Sequence, residues 1–187
     1  MIDHFGLLAP FYERFIPPPD PAQLQTLLNL PTNGWLLDAG GGTGRVASLL
    51  KPLVGSLVLS DESGKMLKQA QAKGALHPML GHVERFPFPD NFFDRALVVD
   101  ALHHFHNQEQ AIAELVRVLK KGGRLVIEEP DIRRFAIKLV ALAEKLALMG
   151  SHFNTPEEIK AMVSAHGVSS VEVVRNGTIA AWIVVDK

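Results

Sequence analysis

Trp35-Leu36-Leu37-Asp38-Ala39-Gly40-Gly41-Gly42-Thr43-Gly44 is an apolar run that stops at a carboxylate and passes directly into glycine. Four glycines within five positions permit positive backbone dihedrals and let a ligand approach the main chain without meeting a Cβ. The run therefore predicts a buried strand, then a ligand-binding turn, then a helix over about 43–51. The competing interpretation is a tight strand-to-helix connection that binds nothing.

Outward from that turn the pattern repeats. Leu57-Val58-Leu59 ends at Ser60-Asp61, with a helix expected over about 63–72. Further strands are expected near 76–80, 93–99 and 124–128, and an amphipathic helix over 108–120, closed by Gly122-Gly123. The tail predicts a helix capped by Asn154 or Thr155 before Pro156, then strands near 170–175 and 179–185 joined by Asn176-Gly177 as a hairpin. Continuous apolar strands alternating with helices imply an α/β, doubly wound, Rossmann-like fold: a mostly parallel seven-stranded sheet with an antiparallel C-terminal hairpin. In such sheets ligands bind beyond the carboxyl ends of the strands, so Asp38, Asp61, Asp100 and Glu128 are expected on one functional rim.

Composition narrows the classes. At 187 residues, with 47% hydrophobic and 21% charged residues, the chain fits one globular domain over 1–187. Residues 1–31, broken by Pro17-Pro18-Pro19-Asp20-Pro21, form an N-terminal arm or cap, with a short helix at about 21–30, and 130–153 forms a helical insertion. A net charge of -1 without a run of like charges gives no field for a nucleic-acid backbone, so none is expected as partner. With no cysteine there is no disulfide, thiolate zinc site or cysteine nucleophile. The first residues do not resemble a signal peptide and no apolar run reaches the roughly 18 residues of a membrane span, so a cytoplasmic location is expected.

Two nucleotide alternatives fail on spacing. A dinucleotide fingerprint starting at Gly40 requires glycine at position 45, which is Arg45, and no Gly-Lys-Ser or Gly-Lys-Thr follows to make a phosphate loop. A nicotinamide-dependent oxidoreductase is thereby remote. Asp61 stands where an acidic residue in doubly wound folds accepts hydrogen bonds from both ribose hydroxyls. An Asp at a strand end ahead of Ser63 is also suited to capping the next helix.

Taken in order, Leu36 to Gly44, Leu59-Ser60-Asp61-Glu62-Ser63 with Met66-Leu67, Glu84 to Asp94, Leu102-His103-His104-Phe105 and Glu114 to Leu125 resemble the motifs of class I S-adenosylmethionine-dependent methyltransferases. The similarity is greatest to the ubiquinone/menaquinone-biosynthesis type and runs from about 33 to 130. It implies S-adenosyl-L-methionine as cofactor. It also implies that the backbone around Ala39, Gly40 and Gly42 holds the methionine end, Asp61 the ribose, and Glu62 with Met66 the adenine. Asp100, Ala101 and Leu102 border the sulfonium, whose positive charge suits the strand-end carboxylates Asp38 and Asp100.

The chain departs from the family after its third strand, where Gly-Asp-Ala-Glu is replaced by Gly81-His82-Val83-Glu84. A neutral His82 can still accept from the adenine amino group, and an exposed loop histidine is the alternative. His103 and His104 are the candidate catalytic residues, as a general base or as packing and capping groups. No carboxylate or third histidine lies at ligand spacing to the pair, so no metal site is expected.

The implied reaction is direct methyl displacement to a small acceptor of N, O or C type, with positioning and desolvation as the protein's part. Absent thiols argue against arsenic-type acceptors. Residues 132–149 predict a long amphipathic helix suited to lining an apolar acceptor pocket, to peripheral lipid contact or to dimerisation, and the oligomeric state is open. The alternative function is a non-catalytic S-adenosylmethionine- or S-adenosylhomocysteine-binding protein or complex subunit.

Overall fold

The computed structural model describes residues 19–74, 77–146, 150–175 and 179–187. Most of the expected N-terminal arm, Leu76, the end of the 132–149 helix and the Asn176-Gly177 turn lie outside them.

A seven-stranded sheet runs in the order β3-β2-β1-β4-β5-β7-β6. Its strands are β1 (Thr32–Ala39), β2 (Val54–Asp61), β3 (His77–Leu80), β4 (Phe93–Val99), β5 (Leu119–Pro130), β6 (Ser170–Val174) and β7 (Ala180–Asp186). β1 pairs in parallel with β2 on one side and β4 on the other, so chain order reverses between β1 and β4. β7 pairs antiparallel with both β5 and β6, which makes the C-terminal hairpin an integral end of the sheet with β6 at the edge.

The apolar runs are explained by helices on both faces. Alternate residues Leu37, Ala39, Val58, Ala96, Val98, Leu125, Ile127, Ile183 and Val185 pack against Ile112 and Leu115 of α4 (Gln108–Val118) and Ile159 and Val163 of α6 (Pro156–Ser164). The intervening Leu36, Leu57, Leu59, Leu97, Val126 and Trp182 pack against α1 (Pro21–Leu28), α2 (Ala47–Leu50) and α3 (Gly64–Ala72). Both faces of a central strand are thus buried, at about 1.5–3 kcal/mol for each large aliphatic side chain taken from water.

Local chemistry sets the boundaries. Asp20 caps α1, whose end Asn29 is left-handed, and Thr155 and Glu158 form a reciprocal capping box on α6. The helix expected over 43–51 is cut to Ala47–Leu50 and a 3-10 turn Lys51–Leu53, because Gly44 (φ 75°) holds the start open and Pro52 enters the end. α4 ends at Val118 rather than at the glycines. Leu119 is already extended and pairs with Phe93, and Gly122 (φ 74°) takes the irregularity within β5.

The 84–94 segment is held by Arg117. Its guanidinium binds Glu114 and Asp90 and donates to the carbonyls of Phe86 and Phe88. Glu114 in turn accepts the Phe86 N–H at 2.7 Å. α5 (Phe135–Leu146) lies beyond β5 and buries Ile137, while Phe135, Leu139, Leu142 and Leu146 are exposed.

Candidate cofactor and acceptor site

The cleft opens where the strand order reverses, at the carboxyl ends of β1, β2 and β4, and has a volume of about 600 Å³ including its open mouth. Its floor is the glycine turn. Gly40 and Gly41 donate to the Ser60 carbonyl at 2.8 and 3.1 Å, tying the turn to the next strand. Gly40 has φ 71°, and a Cβ there would come within 2.7 Å of the Ala101 Cβ, so only glycine fits both the backbone and the space. Gly42 has φ 55° and donates to Asp61 Oδ2 at 2.9 Å.

Asp61 accepts the Ser63 N–H through Oδ1 at 2.8 Å, while the Ser63 side chain caps α3. The aspartate therefore joins the two loops instead of capping the helix itself.

Most of the expected site residues converge on this cleft. Gly40, Gly42, Asp61, Glu62, Met66, His82 and Val83 form one part of its lining, and Asp100, Ala101 and His104, at the turn after β4, form the other. Exposed Glu62 faces His82 at 3.3 Å and His106 at 3.8 Å. Four of the expected residues are not in the lining. Ala39 and Leu102 are buried in the sheet core, Asp38 lies under the turn at 1% exposure, and His103 is 3% exposed beside His104.

Buried acid dominates the rim. Burial raises the Asp38 pKa to about 7, with Arg45 opposing and Asp61 adding to the shift, and Asp38 Oδ2 has no hydrogen-bond partner among the described residues. Burial also raises Asp100 to about 6 and Glu128 to about 8, the latter further repelled by Asp100 and Glu129. Asp100 is left-handed (φ 54°), with Arg45 Nη2 at 3.9 Å from its Oδ2. A site so rich in carboxylates favours a cationic ligand.

The opposite wall depends on Glu129, which motif reading did not single out. Its Oε1 accepts the N–H groups of Ala101 and Leu102 at 3.0 and 2.7 Å, and its Oε2 meets His103 Nδ1 at 2.6 Å. One buried carboxylate thus fixes the turn after β4 and orients the imidazole. Burial opposes protonation of His103, but Glu129 outweighs it and raises the pKa. His104 Nδ1 lies 3.0 Å from Ser151 Oγ, and burial beside His103 lowers its pKa to about 3. Phe153 stacks on the His103 ring at 4.2 Å.

Missed residues fall into two groups. Gly81, Glu84, Phe105 and His106 line the cleft beside residues that were expected, so adjacency was the available signal. Glu129, Ser151 and Glu144 arrive from distant segments. Glu144 of α5 stands with His103 and His104 so that one ligand atom of each lies within 4.8 Å of the others, a third potential ligand that sequence spacing does not reveal.

Residues 37–127 match the family model described as a methyltransferase domain. Curated relatives include the ubiquinone/menaquinone biosynthesis C-methyltransferase UbiE of Pseudomonas fluorescens, 36% identical over 113 residues, covering 55% of this chain and 44% of the relative. The UbiE of Stutzerimonas stutzeri is 38% identical over 104 residues, 50% of this chain and 41% of its own length. The chain spans less than half the length of these relatives.

Among solved structures, YcgJ of Bacillus subtilis superposes with a TM-score of 0.72 at 25% identity, covering 83% of this chain and 70% of that one. A Thermotoga maritima S-adenosylmethionine-dependent methyltransferase, described as a possible histamine N-methyltransferase, shares the fold with a TM-score of 0.75. It is 20% identical, covering 98% of this chain and 99% of that one.

Proposed function

We propose that this chain, which carries a methyltransferase domain and resembles the class I S-adenosylmethionine-dependent methyltransferases of ubiquinone/menaquinone-biosynthesis type, transfers a methyl group to a small acceptor by direct displacement. The observation that carries this is one cleft in which a Cβ-free turn, the Asp61 carboxylate and a cluster of buried acids face the same space. The residues fit the cofactor. The main chain at Gly40 and Gly42 admits its methionine end, and Asp61 suits paired ribose hydroxyls. Glu62, Met66, His82 and Val83 suit the adenine, whereas Asp38 acts from beneath the turn through its charge. When bound, S-adenosylmethionine supplies an electrophilic methyl on a cationic sulfur.

The protein's own part is positional and electrostatic. Asp38 and Asp100 hold negative charge toward the cation, and Arg45 limits their mutual repulsion. Ala101 and Leu102 are fixed by Glu129 at the turn where the acceptor meets the donor. Burial beside His103 makes His104 too weak a base near pH 7 to abstract a proton from the acceptor, so its part is to position it. His103 supports it from behind, paired with Glu129.

The acceptor side comprises the His103–Phe105 turn and 130–153, within a single domain over 1–187, which suits a small and apolar acceptor. Among the described residues no helix is long and apolar enough to cross a membrane. A cytoplasmic enzyme, with peripheral lipid contact through the apolar face of α5, is the reading these features support.

Calorimetric titration with S-adenosylmethionine and S-adenosylhomocysteine tests the donor site. Asp61→Ala should weaken both about tenfold to a hundredfold, the equivalent of a charged hydrogen bond, and unchanged binding would overturn the assignment. Transfer of labelled methyl across panels of N, O and C acceptors then tests turnover.

A further inference from the structure

We propose that His103, His104 and Glu144 form a site for a borderline divalent transition-metal ion, zinc foremost, with an exchangeable position opening on the cleft beside His104. One ligand atom of each lies within 4.8 Å of the other two, so a small inward adjustment brings all three to a common ion. Two imidazoles and a carboxylate are the three-ligand set of open zinc sites. The nitrogen content disfavours magnesium and calcium, which take oxygen.

Independent features support the cluster as a ligand set. Glu144 Oε2 is buried and has no hydrogen-bond partner among the described residues, an arrangement that needs a counterpart. His103 engages Glu129 Oε2 through Nδ1 at 2.6 Å, which leaves Nε2 for coordination and sets the ring plane. A metal-binding histidine oriented by a carboxylate through its other nitrogen is the usual supporting arrangement. Ser151 Oγ does the same for His104 at 3.0 Å from Nδ1. His104 lines the cleft while His103 is buried, so an ion between them would be sheltered on one side and reachable on the other.

The placement of α5 adds a structural reason. Ile137, Ala141 and Glu144, at four- and three-residue steps, are its less exposed positions, whereas Phe135, Leu139, Leu142 and Leu146 point outward. An inward stripe that begins with a buried isoleucine and ends in a carboxylate holds the helix weakly by apolar contact. A metal bond from Glu144 to the turn after β4 would pin it. The second cluster with ligand potential, Glu62, His82 and His106, is exposed throughout and lies on the adenine wall.

The test uses the full chain, stripped with chelator and titrated with cobalt(II), then with zinc(II) as competitor. We expect one equivalent of cobalt to give an intense visible band of a low-coordinate N/O site, displaced by zinc, together with a zinc-dependent rise in melting temperature. Glu144→Gln, nearly isosteric, should weaken both effects about tenfold or more, His104→Ala likewise, and His106→Ala should leave them in place. Retained circular dichroism of Glu144→Gln separates lost coordination from lost folding. A spectrum no stronger than that of hydrated cobalt, or binding untouched by Glu144→Gln, would overturn the assignment. Loss on His106→Ala would also overturn it, moving the ion to the Glu62 cluster. Because metal occupancy is read directly, a negative result leaves the methyl-transfer assignment standing, and failure of methyl transfer leaves the metal result interpretable.

Discussion

The two walls of the cleft are built differently. The wall proposed for the donor is local: Gly40 and Gly42 meet Ser60 and Asp61 at the end of the neighbouring parallel strand, and each contact closes between adjacent loops. The wall proposed for the acceptor is assembled from afar, with Glu129 from β5 fixing Ala101, Leu102 and His103, Ser151 reaching His104 and Glu144 approaching from α5. A local wall can be conserved as a motif and reused. A wall made of long-range contacts can change its chemistry by single substitutions on elements that do not touch the donor.

Breaking the acceptor wall should cost most. Glu129→Ala leaves two N–H groups and an imidazole without their shared acceptor, and should lower unfolding free energy by about 3–5 kcal/mol in denaturant titration. If the loss is under about 1 kcal/mol, the two walls do not differ as described. Gly40→Ala strikes the donor wall through a positive φ and a 2.7 Å approach to Ala101. It should cost about 1–2 kcal/mol in stability and abolish detectable cofactor binding by calorimetry.

A subtler difference lies in pH. Asp38, Asp100 and Glu128 have folded pKa values near 7, 6 and 8, above their ordinary values of 3.8, 3.8 and 4.5. An acid raised on folding stabilises fully below its unfolded pKa, and that contribution disappears as pH rises through the folded value. Stability of the ligand-free protein should therefore fall from pH 6 to 8. A cation favours the ionised acids, so S-adenosylmethionine should bind about tenfold tighter over that interval, and S-adenosylhomocysteine, uncharged at sulfur, should gain less. Equal pH dependence of the two ligands would remove the electrostatic role of the rim. The smallest effect is expected outside both walls, where Leu139→Ser on exposed α5 should change stability by less than about 0.5 kcal/mol.

This division also explains what could be read from the chain. Strand identities followed from doubly buried apolar runs such as Leu36-Leu37 and Leu57-Val58-Leu59, whose alternate residues serve the two cores. The helix after the glycine turn was overextended because periodicity does not register Gly44 at φ 75° or the break at Pro52. Arg45, which in the sequence serves only to exclude a dinucleotide fingerprint, is 8% exposed and faces Asp100. Glu129 and Glu144 carry no local signature. Their meaning depends on which strand neighbours β4 and where α5 packs, and neither is encoded in residue spacing near the histidines.

The raised pKa values of the rim acids have a calorimetric consequence. If Asp38 at about 7 and Glu128 at about 8 share protons with solvent near neutrality, docking a cation must expel some of that hydrogen to the buffer. The heat of binding will then contain the buffer's own ionisation heat. Titrations in phosphate and in Tris at one pH should differ in enthalpy by the number of protons released multiplied by the difference between the two buffers' ionisation enthalpies, and that number counts the acids that the cation discharges.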